Sequence, residues 1–133
     1  MAAYAEKTKT PVQNTIAEIR RTVAKFGGEQ FLHASMEDRL VVGFSMEGRQ
    51  VRFQVPQYQD DGQRSRSVAR ALFLVLKAKL VAVDSGVSVF EDEFLGNIVL
   101  PDGRLLAQHV KPHLITAYST GEIPPMLPDY SGE

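Results

Sequence analysis

Apolar positions in the N-terminal third repeat first with a helical and then with a strand period. Val12, Ile16, Ile19, Val23 and Phe26 follow i, i+4, i+7, i+11 and i+14, a single stripe that predicts a helix over 11–26. Thr10 with Gln13 forms a Thr-x-x-Gln capping box, Pro11 suits the first turn, and Gly27-Gly28 ends the helix. The period then becomes two. Leu40, Val42, Phe44 and Met46 alternate with Arg39, Val41, Gly43 and Ser45, and Val51, Phe53 and Val55 alternate with Gln50, Arg52 and Gln54. A two-residue turn at Glu47-Gly48 sets Phe44 opposite Val51, Val42 opposite Phe53 and Leu40 opposite Val55, so the apolar faces coincide. A preceding strand over 30–35 has two registers. A two-residue turn at Glu37-Asp38 buries Phe31 and His33, whereas a three-residue loop buries Leu32 and Ala34.

The stretch 56–67 is polar and turn-rich and is expected to be a mobile loop, with Ser67 capping a helix that runs to Asp84. Leu72, Phe73, Leu74, Val75, Leu76, Leu80 and Val81 wrap beyond one stripe, which predicts the most buried helix of the chain. Ser88 with Glu91 is a second capping box, for a short helix over 89–97. Pro101-Asp102-Gly103 reads as a turn, and 105–119 as a helix broken or kinked at Pro112. The tail from Gly121, with Pro124, Pro125 and Pro128, is extended and is expected to dock on its own domain. The expected fold is therefore α+β: a helix, a three-stranded antiparallel meander, a long buried helix, short C-terminal helices and an extended Pro-rich tail, in a single domain over 1–133 with flexible ends at 1–9 and 129–133.

Composition narrows the chemistry. Of 133 residues, 44% are hydrophobic and 23% charged, which excludes wholesale disorder. The absence of cysteine excludes disulfides and thiolate chemistry. Residues 1–10 lack the apolar core of a signal peptide, and 68–83 is too short and too charged to span a bilayer, so a cytoplasmic location is expected.

The net charge of −1 conceals a polarity. Residues 1–83 hold 13 Lys and Arg against 8 Asp and Glu, and residues 84–133 hold 2 against 8. Such asymmetry points to a polyanion surface or to two halves that neutralise each other. The outer strand face carries Arg39 and Arg52, and Arg64, Arg66 and Arg70 span the loop and the start of the long helix. Guanidinium groups pair with phosphates, and a helix N-terminus adds free amides, so these five residues are the candidate nucleic-acid contacts. In the three-residue-loop register Phe31 and His33 join that face as stacking surfaces.

Signals for catalysis are weak. No nucleophile elbow, phosphate-cradling loop or His-Glu-x-x-His is present, and neither an enzyme nor a cofactor is expected. Glu91, Asp92 and Glu93 point in different directions on a helix and suit its dipole better than a metal. His109 and His113 have the spacing that puts two imidazoles on one helix face, but Pro112 argues against a regular helix there and no ligand obviously completes a site.

Two resemblances arise from these residues. Lys77-Ala-Lys-Leu80, Ser85-Gly86, Phe90-Glu-Asp-Glu-Phe-Leu95, Ile98-Val-Leu-Pro-Asp-Gly-Arg104, Ala117-Tyr118 and Thr120-Gly-Glu-Ile-Pro-Pro-Met-Leu-Pro128 resemble a family of small proteins encoded by tailed bacteriophages and prophages. That resemblance implies a bacterial host cytoplasm and supplies no catalytic residues. The order helix, meander, helix is also similar in topology to double-stranded-RNA-binding domains and to phage single-strand-annealing proteins, with Arg64 to Arg70 at the basic helix start.

The leading expectation is a phage-encoded, non-enzymatic nucleic-acid-binding accessory protein. The alternative is an interaction module that redirects a host or phage protein through Glu91, Asp92, Glu93, Pro124 and Pro125, and a weaker one is a nucleotide-signal sponge.

Overall fold

The computed structural model describes residues 8–58 and 62–127. Its elements run α1 (Val12–Lys25), β1 (Glu29–Ser35), β2 (Arg39–Met46), β3 (Arg49–Pro56), α2 (Gln63–Asp84), α3 (Phe90–Phe94) with a 3-10 turn over Leu95–Asn97, and α4 (Leu106–Thr120). The strands form one antiparallel sheet in the order β1-β2-β3, so the α+β class stands.

The β2–β3 hairpin has the register read from its alternation: Phe44 pairs with Val51, Val42 with Phe53 and Leu40 with Val55. Glu47 and Gly48 both take positive φ, 50° and 75°, as a two-residue turn that follows the twist of its strands requires. In β1 the two-residue turn wins, since His33 pairs with Val42 and Ser35 with Leu40, and Met36 N–H donates to Arg39 O at 2.9 Å. Phe31 therefore packs against the core, while Leu32 is exposed on the outer face. A bulge between Glu29 and Leu32, with Gln30 at φ 55°, absorbs the one-residue slip at the strand's start.

The stripes of α1 and α2 close over the inner sheet face in one core. Ile16, Ile19 and Val23 meet Leu40, Val42, Phe44, Val51, Leu72, Leu76 and Leu80. Phe94 of α3 lies at its centre, fully buried. Its ring is edge-on to Phe44 and Phe53 at 6.1 Å and stacked on Phe90 at 5.2 Å.

Three caps differ from expectation. α1 begins at Val12 with Pro11 at the cap position and no side-chain cap bond; the first amides go to Pro11 O instead. The extended ψ of Pro11, 149°, moves the cap one residue past Thr10, so the capping box does not form. α2 begins at Gln63 behind Gly62, four residues before Ser67, whose hydroxyl accepts from Gln63 Nε2. α3 begins behind Val89, and Ser88 Oγ donates to Val89 O while the Glu91 carboxylate binds Arg49.

Burial on α2 is one-sided: Ser65, Ala69, Leu72, Phe73, Leu76 and Leu80 are buried, but Val75 and Val81 are exposed. The helix has α1 and the sheet on one side only, so it is not wrapped as its composition suggested. α4 is a single helix that includes Pro112. In the tail Ile123, Pro125 and Leu127 are exposed while Pro124 and Met126 are half-buried; Pro128, residues 129–133 and residues 1–7 lie outside the described residues.

Thr15 is fully buried, and its Oγ1 has no hydrogen-bond partner among the described residues. A buried hydroxyl without a partner costs about 1–3 kcal/mol, and valine keeps the shape. Thr15→Val is expected to raise stability by about 1 kcal/mol, read as a higher urea midpoint with an unchanged slope.

Candidate functional site

The outer sheet face is built from alternate residues of the meander, with Gly43 between Leu32 and Arg52 and Val41 between Ala34 and Gln54. The chain after α3 returns to the β3 edge. Ile98 bridges Val51, Val99 N–H donates to Gln50 O, and Asn97 Nδ2 donates to Arg52 O at 3.0 Å. These contacts cap the start of that edge, over 50–52, and satisfy its main-chain groups there.

Arg39 and Arg52 come together on this face. With Met36, Val41, Gln54 and Gln108 they line a depression of about 310 Å³. Arg39 Nη1 donates to Gln54 Oε1 at 3.0 Å and Nε to Met36 Sδ at 3.3 Å. Arg52 Nη2 donates to Gly103 O at 2.8 Å. The acidic portion thus reaches Arg52 through a backbone carbonyl, and Asp102 beside it binds Arg104 at 2.7 Å.

The remaining candidates lie on α2. Because the helix starts at Gln63, Arg64, Arg66 and Arg70 all occupy its first turns rather than a loop. Arg64 stacks on Tyr58, 3.9 Å from the ring centroid, and Arg66 Nη2 donates to Gln63 Oε1 at 3.2 Å. Arg70 is paired with Glu18 of α1, which cancels its charge locally. It lines a groove of about 450 Å³ with Thr10, Asn14, Ala17, Glu18 and Arg21. No sequence signal singles out Arg21; its place in the same groove as Arg70 follows from helix–helix packing, which leaves no mark in local sequence.

The structure decides between the two β1 registers and pairs the acidic run. With the two-residue turn, Phe31 lies on the inner side, and Arg20 stacks over its ring at 4.8 Å; Phe31 and His33 supply no stacking platform beside Arg39 and Arg52. The acidic run is not a free patch either. Glu91 binds Arg49 at 2.9 Å and Glu93 binds Lys79 at 3.5 Å, so both carboxylates fasten α3 to the body. Asp92 and Pro125 are exposed and Pro124 is half-buried.

α4 contains no buried residue, and Leu114, Ile115 and Tyr118 are 43%, 72% and 90% exposed. Among the described residues no helix is long and apolar enough to cross a membrane. No protein-family model, curated protein or solved structure matches the chain.

Proposed function

We propose that the protein is a non-enzymatic accessory factor that binds nucleic acid, without strong sequence preference, in the cytoplasm of a bacterial host. One observation carries this reading. Arg39, Arg52 and Arg64 are held by Gln54, the Gly103 carbonyl and the Tyr58 ring, which are all uncharged partners. Their side chains are positioned while their charge is not cancelled by a carboxylate of the described residues. Such preorganised cations suit phosphates, which supply the missing negative charge. We take the order helix, meander, helix as an analogy to double-stranded-RNA-binding domains, and a phage origin as part of the same proposal.

Electrophoretic mobility shift with single- and double-stranded DNA and RNA tests it. Three phosphate contacts predict a duplex affinity that falls about 40-fold between roughly 50 and 200 mM salt. Absence of a shift with all four probes at the lower salt would end the proposal.

A second reading has its own support. α4 has no fully buried residue, and Leu114, Ile115 and Tyr118 are exposed on it, an apolar patch that suits a protein partner. In this reading α4 and the Pro124-Pro125 segment, rather than Glu91 and Glu93, engage that partner. A protein recovered from nuclease-treated lysate by the wild type, and lost with Ile115→Asp, would favour it.

A further inference from the structure

His109 and His113 take no part in the arginine surface. Both are half-buried on α4, and their ring centroids are 5.0 Å apart with planes at 51°. Pro112 does not interrupt the helix between them, so the one-turn spacing places both imidazoles on one face as a matched pair. Rings at this separation can each turn one nitrogen toward a common ion at about 2.0–2.1 Å. No group of three or more His, Asp or Glu forms a metal-binding cluster among the described residues. Water or an outside ligand would fill the other coordination positions.

The geometry points to a two-histidine chelate on α4 for a transition-metal ion, Cu(II) in preference to Ni(II) or Zn(II). Imidazole is a good ligand for all three, and affinity at such nitrogen sites peaks at copper. His109 Nδ1 is buried and has no hydrogen-bond partner among the described residues. No hydrogen bond to that nitrogen holds the ring in one orientation, so the second-shell bond that ordinarily fixes a ligand histidine is not part of this site. Pro112 has no N–H, so α4 lacks one main-chain bond in the turn that the two histidines span. A chelate across His109 and His113 would clamp that same turn. An ion bound only by the ordered helix would stabilise α4 by mass action.

The test is titration of the full, untagged chain with Cu(II) in a non-coordinating buffer, followed by calorimetry and electron paramagnetic resonance. His109→Ala, His113→Ala and His33→Ala are compared, His33 being the third histidine of the sequence. The expected result is one Cu(II) per chain with hyperfine structure from two nitrogens. Affinity should fall about 10-fold or more in either α4 variant and stay unchanged in His33→Ala. Far-ultraviolet circular dichroism verifies that each variant is folded. No stoichiometric binding, or binding that either α4 substitution leaves intact, overturns the proposal.

Discussion

Replacing Phe94 by alanine is expected to lower stability by about 3–5 kcal/mol. The ring is fully buried and touches aromatic residues from β2, β3 and its own helix. α3 has five residues, too few to hold together by its own hydrogen bonds. Its attachment rests on Phe94, on Phe90 and on the ion pairs Glu91–Arg49 and Glu93–Lys79. Those pairs are partly exposed, so each contributes little. Loss of the ring removes apolar burial and leaves a cavity in the close-packed core between the sheet and α2. The readout is a lower denaturant midpoint at nearly unchanged slope. A loss under about 1 kcal/mol would show that the core does not close around α3.

Gly28→Ala is the second large effect, about 2–3 kcal/mol from overpacking. Gly27 takes φ 97°, its N–H donates to Ala24 O, and Gly28 N–H donates to Val23 O at 2.8 Å. Together these form the two-bond ending of α1 that needs a left-handed residue after the cap. Gly28 then passes directly beneath the helix. A Cβ there would collide with Val23 Cγ1 and lie 3.1 Å from Val23 O and 3.2 Å from Phe44 Cδ2. The carbonyl cannot move without breaking the bond that ends the helix. Val23→Ala removes the nearest methyl, so the double variant should lose less than the sum of the two single losses. Strict additivity would contradict the contact.

These two sites show what local sequence conveys. The β2–β3 register was legible because alternation on both strands and a Glu47-Gly48 turn agree on one pairing. The α1 stripe was legible for the same reason: four of its five apolar positions are buried. β1 was ambiguous because Phe31, Leu32, His33 and Ala34 offer each face an apolar residue. The observed register depends on the turn and on the bulge at Gln30. Caps failed where main-chain geometry outweighed side-chain chemistry, as at Pro11 and Val89. The pairing of the acidic run was out of reach, since Glu91 finds Arg49 42 positions away. For the candidate site, the outward direction of Arg39 and Arg52 followed from the strand period. Their anchoring by Gln54 and Gly103 needed the folded chain.

The Arg39 and Arg52 pair is the centre of the account, and the salt dependence of duplex binding tests it most directly. Wild type, Arg39→Gln/Arg52→Gln and Arg64→Gln should be compared in plots of log affinity against log salt, with folding of each verified by urea denaturation. Each phosphate contact adds about 0.9 to the slope. The double variant is therefore expected to lose about 1.8 in slope and Arg64→Gln about 0.9. A wild-type slope near zero, or one that the double variant leaves unchanged, would contradict the assignment of these guanidinium groups to phosphate.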